Sequence, residues 1–307
     1  MTKRIITYYE GEPGPLFVVT AGMHGNEQAG IKALIEVGKL LQTFKNNHTS
    51  FKFRGTLLGL IGNIQAKEQY IRYVSQDLNR MWETEFVYKI LESEPGTLQN
   101  EEKEMYEIVQ TLRSVVLTGK YSRLILLDLH TTSSDGIFSI CTEDKESITL
   151  ANQLHAPVVR GLMKGIKGTT LHYFNRNNLG IEATSLAFEA GRHDDIKSVN
   201  RSIAAMINCM RSIGCVSPES VQNEFDELLI NYSKNLPKSV EVHYKYNIQN
   251  NQEWEMVAGF KNFDVVKKGQ ILAHEEGKAV LCPLDGLILM PLYQKKGNDG
   301  FFIVTPL

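Results

Sequence analysis

A histidine and a glutamate stand three residues apart directly after an apolar run near the start of the chain. His24 and Glu27 follow the run Phe17-Val-Val-Thr-Ala at a glycine-flanked turn that is predicted to open a helix. A spacing of three residues puts the imidazole and the carboxylate on the same side of a helical turn, where both can reach one metal ion. The alternative is a helix N-terminus at which Glu27 is stabilised by the helix dipole.

A second histidine, His130, ends the apolar run Leu124-Ile-Leu-Leu-Asp-Leu and precedes a polar Thr-Thr-Ser-Ser stretch. Catalytic zinc sites use three protein ligands and leave one position open for water. His130 from a separate strand end would complete that set, so the sequence predicts one Zn²⁺ per chain on His24, Glu27 and His130, although cobalt and manganese accept the same ligand types. The alternative for His130 is a hydrogen-bonded strand-end histidine, which we disfavour because Asp128 and His130 are both costly on an apolar strand.

Two further segments carry groups that could act on a substrate. Glu189 follows the run Ser185-Leu-Ala-Phe just before Gly191, and a carboxylate at a strand end near a metal is suited to act as a general base. In the segment 72–82, Arg80 has the planar fork that binds a carboxylate, and Asn79 adds an amide beside it. Taken alone, this second segment favours a salt-bridged surface turn.

The elements that must position these residues alternate between strand and helix. Such alternation predicts an α/β layered domain over residues 1–216, with ligands bound at the carboxyl ends of the strands. The predicted strands are 16–20, 55–61, 124–129 and 186–188, and the predicted helices are 27–44, 101–117 and 194–213. A polar linker is predicted at 217–236, and short β-like runs predict a small all-β domain at 237–307.

Composition narrows the class of protein. The formal net charge is −2, with 33 basic and 35 acidic residues interspersed, which argues against nucleic acid or a membrane surface as partner. No stretch approaches the roughly 18 apolar residues of a membrane span, and the N-terminus lacks the apolar core of a signal peptide. The four cysteines include no C-x-x-C pair, so we expect reduced thiols in a cytoplasmic protein. Homo-oligomerisation stays open.

Four motifs taken in order, His-Gly-Asn-Glu from His24, Asp-Leu-Asn-Arg from Asp77, Asp-Leu-His-Thr-Thr from Asp128 and Glu-Ala-Gly from Glu189, resemble the succinylglutamate desuccinylase and aspartoacylase family. The resemblance covers about residues 15–215, and the order of four separate motifs makes it more specific than any one of them. It implies a zinc-carboxypeptidase-like three-layer domain with a central mixed, largely parallel sheet, followed by a small C-terminal all-β domain that narrows the active-site entrance.

The resemblance also implies roles for individual residues. His24, Glu27 and His130 would be the zinc ligands, and Asp77 would orient a ligand histidine. Asn79 and Arg80 would bind the substrate carboxylate. The two catalytic groups would be Glu189 as general base and Arg72, which would stabilise the oxyanion.

Two features depart from that pattern. Ala-Gly-Arg-His follows Glu189 where the aspartoacylase branch has Gly-Pro, and no arginine fits a motif for a second substrate carboxylate, with Arg160, Arg176 and Arg192 as the candidates. The segment from Phe263 to Leu289 also resembles a lipoyl or biotinyl carrier domain, although its turn lacks the Met-Lys pair of such carriers.

The expected function is therefore a zinc-dependent amidohydrolase that removes the acyl group of a small N-acyl amino acid. One alternative is a metallocarboxypeptidase acting on short peptides, which would use the same zinc and the same Arg80. The other is a non-catalytic ligand-binding protein that has kept the fold.

Overall fold

The computed structural model describes residues 3–307 of the chain. The strands within these residues are β1 (Ile5–Glu10), β2 (Glu12–Ala21), β3 (Arg54–Ile61), β4 (Leu124–Thr132), β5 (Phe138–Cys141), β6 (Val158–Arg160), β7 (Ala183–Arg192), β8 (Ser239–Asn247), β9 (Trp254–Met256), β10 (Val265–Val266), β11 (Ile271–Glu275), β12 (Lys278–Leu281), β13 (Gly286–Leu289) and β14 (Asp299–Pro306). The α-helices are α1 (Ala29–Asn47), α2 (Ile64–Glu68), α3 (Thr84–Glu92), α4 (Asn100–Thr118), α5 (Lys145–Asn152), α6 (Leu162–Gly165), α7 (Thr170–Tyr173), α8 (Arg176–Leu179), α9 (Lys197–Ser212) and α10 (Asp226–Ser233), and 3₁₀ turns lie at Leu78–Arg80, Pro95–Thr97 and Asn251–Glu253.

A mixed sheet of 11 strands forms the middle of the molecule, in the order β1-β3-β2-β4-β7-β5-β6-β8-β14-β13-β10. Its central strands β3, β2, β4 and β7 are parallel, and β5 joins β7 in the antiparallel direction. The chain leaves β2 for β3 on one side and later returns to β4 on the other. A crevice for ligands is expected at such a reversal of strand order, outside the carboxyl ends of the strands.

Helices cover both faces of the central strands. Because both faces of β2 are buried, its sequence is almost entirely apolar. Phe17 and Val19 face a cluster that contains α1 and α9, whereas Leu16 and Val18 face a cluster that contains α3 and α4. All four side chains are fully buried, and each contributes about 1.5–3 kcal/mol relative to an exposed position. Three layers of helix, sheet and helix result, as the fold class predicted.

The predicted elements of the first 216 residues are found close to their expected bounds. The four predicted strands lie within β2, β3, β4 and β7, and the three predicted helices correspond to α1, α4 and α9. The last of these begins at Lys197 instead of Asp194. The reason is that the backbone N–H of His193 donates to the Thr132 carbonyl, which keeps the residues before α9 in a turn beside β4.

The C-terminal region consists of strands, as expected, but most of them extend the central sheet. β8 pairs in parallel with β6, and β14, β13 and β10 follow in antiparallel order. A separate sheet of 3 strands contains β12, β11 and β9. The polar stretch 217–236, predicted as a linker, contains α10, whose Leu229 is buried in the cluster with α9.

Candidate metal centre

The turn after β2 brings His24 and Glu27 to the crevice, and a close backbone approach fixes its path. A Cβ added to Gly25 would lie 2.2 Å from the carbonyl carbon of Ala66 in α2, which is too close for any residue with a side chain. The N–H of Gly25 also donates to the carbonyl of Arg72 at 3.0 Å. The turn is thus held against both α2 and the segment that carries Arg72.

Neighbouring strands supply the other two central residues. His130 on β4 and Glu189 on β7 are directly paired in the parallel register, so their side chains are neighbours on one face of the sheet. Residues from three separate parts of the chain therefore converge at the carboxyl ends of β2, β4 and β7.

Glu27 lies between the two histidines and contacts both through their Nδ1 atoms. Its Oε1 is 2.8 Å from Nδ1 of His24, and its Oε2 is 2.9 Å from Nδ1 of His130. The backbone N–H of Thr131 donates to the same Oε2 at 3.1 Å. All three side chains are at least nine-tenths buried.

The opposite ring nitrogens of the histidines meet carboxylates. Nε2 of His24 is 2.9 Å from Oδ1 of Asp77, and Nε2 of His130 is 3.0 Å from Oδ2 of Asp128. Each ring thus has a carboxylate at both nitrogens, and because an ionised carboxylate only accepts hydrogen bonds, both ring N–H groups can donate when no metal is bound. A cation that replaced the proton on Nδ1 would leave the Nε2 proton held by Asp77 or Asp128, which is the arrangement of metal-bound histidines.

The cluster of His24, Glu27 and His130 suits a divalent cation, both in its donor atoms and in the negative charge around it. One donor atom from each of His24, Glu27 and His130 lies within 4.8 Å of the others. Burial lowers the pKa of His130, but the carboxylates of Asp128 and Glu27 outweigh it and hold this pKa well above its usual range. The surroundings therefore stabilise positive charge at this point, and two imidazoles with one carboxylate form a zinc ligand set.

Arg72 lies beside the group and is held by Asp77. Its Nε and Nη2 atoms donate to Oδ2 of Asp77 at 3.2 and 3.0 Å, and its Nη1 is 3.7 Å from Oε1 of Glu27. Asp77 thus orients both His24 and Arg72. A guanidinium fixed in this way can donate to an oxygen atom that enters the cleft.

Asn79 and Arg80 face the same cleft from the 3₁₀ turn. Oδ1 of Asn79 accepts from the backbone N–H of Thr170 at 3.0 Å, which leaves its amide nitrogen 3.3 Å from Nε2 of His130. Arg80 donates through Nη2 to Oδ2 of Asp299 on β14 at 2.7 Å. Asp299 also accepts from Lys245 at 3.1 Å, so the position of Arg80 depends on the C-terminal strands.

Glu189 has the surroundings of a proton acceptor. The side chain is 5 % exposed. Its Oε2 has no hydrogen-bond partner among the residues that the structure describes. Burial is the main cause that raises the pKa of Glu189 to about 8, and the nearby carboxylates of Glu27 and Asp128 act in the same direction. A buried carboxylate with a free oxygen and a raised pKa can take up a proton near neutral pH.

A single cleft contains every residue that the sequence singled out for the site. These are His24, Glu27, Arg72, Asp77, Asn79, Arg80, His130 and Glu189. The three arginines considered for a second carboxylate are not among its lining residues and instead pair with acidic residues elsewhere: Arg160 with Glu143, Arg176 with Glu182 and Arg192 with Asp194.

Residues from the C-terminal region line part of the cleft. They include Met290, Leu292, Gln294, Asn298 and Asp299. These residues contact the loop after β4 and the turn after β2 directly. The Ser133 hydroxyl donates to the Pro291 carbonyl at 3.1 Å, and the Asn26 amide donates to Gln294 at 3.1 Å.

Three residues that support the site were given no role from the sequence. Asp128 could have been found, because it stands two residues before His130 on a strand and so shares its face. Asp299 gives no local signal, since it lies 219 residues from Arg80 along the chain. Glu101 in α4 is buried and accepts from the backbone N–H groups of residues 74–76, which holds the loop between Arg72 and Asp77.

No helix among residues 3–307 is both long enough and apolar enough to cross a membrane.

Known structures share the fold of this chain. A crystal structure described as succinylglutamate desuccinylase/aspartoacylase from Rhodobacter sphaeroides superposes with a TM-score of 0.66 at 16% identity, covering 98% of this chain and 87% of that one. The product-bound ectoine utilization protein EutE (DoeB) from Ruegeria pomeroyi gives 0.63 at 16%, covering 97% and 87%, and murine aminoacylase 3 gives 0.57 at 17%, covering 96% and 96%. At these identities the likeness establishes the fold.

The sequence itself has no match among curated proteins. The family model described as the succinylglutamate desuccinylase/aspartoacylase catalytic domain matches residues 13–213, well over half of the chain. That range contains β4, β7 and all of β2 except its first residue, together with both histidines and both glutamates of the cleft. The chain belongs to the succinylglutamate desuccinylase/aspartoacylase family.

Proposed function

We propose that the protein is a zinc-dependent hydrolase that cleaves the amide bond of an N-acyl amino acid, with one zinc ion per chain on His24, Glu27 and His130. One observation carries the proposal: Nδ1 of both histidines points at Glu27 while each Nε2 is occupied by a carboxylate. Glu189, the paired neighbour of His130, then lies where it can act on a water molecule at the same place.

A bound zinc ion supplies Lewis acidity, which polarises a carbonyl group and lowers the pKa of water to about 7. Glu189 takes the proton of the attacking water through its free carboxylate oxygen. Arg72, oriented by Asp77, donates a hydrogen bond to the carbonyl oxygen as negative charge develops there. The water oxygen bonds to the carbonyl carbon, and Glu189 then returns the proton to the leaving nitrogen as the C–N bond breaks. The acid so formed passes its proton to the released amine, and the products are a carboxylate and an ammonium group.

Asn79 and Arg80 bind the carboxylate of the amino-acid half. Arg80 contributes the N–H groups that Asp299 and its own turn do not use, and Asn79 is held with its amide nitrogen toward the cleft by Thr170. Because residues of the C-terminal region such as Met290 and Gln294 line the cleft, we expect a small substrate. The four cysteines are free thiols, so we expect the enzyme to act in the cytoplasm.

The test is hydrolysis of N-acetyl and N-succinyl amino acids by the zinc-loaded protein, with dipeptides as the comparison. Faster hydrolysis of acyl amino acids supports the proposal, and faster hydrolysis of dipeptides would instead identify a carboxypeptidase. The matched variant is Glu189→Gln, which keeps the size of the side chain and removes the base. It should bind zinc normally and lose about 10²–10⁴-fold in kcat, whereas near-normal turnover would exclude Glu189 as the base.

A further inference from the structure

One side of the cleft is apolar, in contrast to the polar group around Glu27. Its lining side chains are Ile140, Leu162, Met163, Ile166 and Leu171, which we call the apolar wall. Four of them are at most 8 % exposed, and Met163 is partly buried beside them. Ile140 is paired with Ala187 on β7, two residues before Glu189, so the wall adjoins the reacting centre.

The wall also adjoins the place where the substrate carboxylate is expected. The backbone N–H of Thr170 donates to Asn79, and the N–H of Trp82 donates to the carbonyl of Gly168 at 2.9 Å. A Cβ on Gly168, which has a φ of +65°, would lie 2.3 Å from the Arg80 carbonyl oxygen. The segment that carries Leu162 to Leu171 is therefore packed directly along residues 79–82.

The charges of the cleft do not provide for a second carboxylate. Among its described lining residues, Arg72 and Arg80 carry the permanent positive charges. Arg72 is bound to Asp77, and Arg80 is the group proposed for the first carboxylate. The lining carboxylates of Glu27, Asp77 and Asp299 already pair with these two cations.

From this arrangement we infer that the amino-acid half of the substrate has an uncharged, apolar side chain, which packs on the apolar wall while Asn79 and Arg80 bind its carboxylate. The inference rests on the proposed function and specifies the substrate class of the same site. An acidic side chain in that place would lose its hydration against apolar atoms. The ammonium group of Lys245 lies near the wall, but it already donates to the Gly165 carbonyl at 2.9 Å and pairs with Asp299 at 3.1 Å. An aliphatic side chain gains by the same contact.

The first experiment measures kcat/KM for a graded series of N-acetyl amino acids with straight aliphatic side chains, from alanine to norleucine. Burial of one methylene is worth about 0.8 kcal/mol, so kcat/KM should rise about fourfold with each added carbon until the wall is covered. N-acetylaspartate and N-acetylglutamate should be at least about 100-fold poorer than N-acetylnorleucine. A flat series, or a preference for either acidic substrate, overturns the inference and leaves the proposed deacylase function intact.

A pair of variants locates the selectivity. Met163→Arg places a guanidinium at the most accessible member of the wall, and Met163→Gln changes the same side chain without adding charge. The arginine variant should raise the ratio of N-acetylaspartate to N-acetylnorleucine turnover at least about tenfold over that of the glutamine variant. Equal ratios in the two variants would contradict the placement of the side chain on this wall.

Calorimetric binding of the free amino acids to the zinc-loaded parent protein keeps the inference testable without either variant. Norleucine should bind at least about tenfold more tightly than aspartate. Tighter binding of aspartate would overturn the inference. Failure of the zinc-loaded parent to hydrolyse any N-acyl amino acid would instead remove the proposed function, and the inference with it.

Discussion

His24 and His130 are equivalent in how their two ring nitrogens are used, although they come from different elements. Each has Nδ1 toward Glu27 and Nε2 toward an aspartate. Asp128 therefore contacts His130 as Asp77 contacts His24, and the family resemblance predicts that Asp77 orients a ligand histidine. Asp128 is itself fully buried and is held by the hydroxyl groups of Thr20 and Thr170, each at 2.6 Å.

We expect Asp128→Asn to weaken zinc binding about 10–100-fold, because an amide no longer fixes the proton of His130 on Nε2. The measurement is a zinc titration against a chelator of known affinity. Asp194→Asn is the matched control, since the side chain of Asp194 is 72 % exposed and its ion pair is with Arg192 at the surface. Unchanged affinity in Asp128→Asn would show that this carboxylate does not orient the ligand.

Glu189 should make the stability of the metal-free protein depend on pH. Its pKa is raised in the folded protein from an ordinary 4.5 to about 8, mainly by burial, so the folded state holds the proton more tightly than the unfolded state. Its contribution to stability is thus lost as pH rises between these two values. Glu189→Gln lacks this group, and its melting temperature should exceed that of the parent by an amount that grows from pH 5 to pH 8 and then levels off.

The measurement is thermal unfolding of both proteins in the presence of a chelator. Glu241→Gln is a control, because Glu241 lies on β8 away from the metal group. A difference between Glu189→Gln and the parent that is constant over this range would contradict the raised pKa.

At the scale of single residues, the sequence pointed to the residues that the structure brings together in the cleft, but not to the residues that hold them in place. His24, Glu27, His130 and Glu189 each stand at the end of an apolar run, where a polar residue is conspicuous. Asp299 has no such setting, because its contact with Arg80 depends on how the last strand returns to the sheet.

At the scale of the elements, the strands of the central sheet could be predicted because both of their faces are buried. Burial on both faces makes β2, β3, β4 and β7 short apolar runs, which are distinct from the amphipathic helices between them. α10 could not be predicted in the same way. Its sequence is short and polar, and its packing relies on one buried leucine against α9.

The turn between β2 and α1 is the element most sensitive to a small change. Gly25→Ala should lower stability by about 1–3 kcal/mol and weaken zinc binding, because the added Cβ would displace the turn that carries His24 and Glu27 from α2. Melting temperature and zinc affinity are the two readouts. Gly96→Ala is the control, since a Cβ at Gly96 would meet no atom within 4 Å; equal effects of the two substitutions would contradict the account of the turn.

For the molecule as a whole, the division into a catalytic domain of residues 1–216 and a β domain of residues 237–307 remains a proposal. The central sheet runs through both regions by the pairing of β8 with β6, and the residues Val240, Leu289 and Phe302 are buried in the same cluster as Leu126. Shared burial of this kind couples the stability of the two regions.

We therefore expect the full chain to unfold in one cooperative transition, with equal calorimetric and van't Hoff enthalpies. Deletion of residues 237–307 should leave a chain that does not fold, because β6 would become an open edge and its cluster would lose those three side chains. Two resolved transitions in the full chain, or a folded fragment 1–236, would contradict this coupling.

The proposed metal centre is tested by the metal content of the purified protein, measured by elemental analysis beside that of a His24→Ala/His130→Ala double variant. We predict about one zinc per chain in the parent and almost none in the variant, since two of three ligands are removed. Melting temperatures of both proteins in chelator should be compared to confirm that the variant is folded. No bound zinc in the parent, even after loading, or equal zinc in the two proteins would contradict the proposed metal centre.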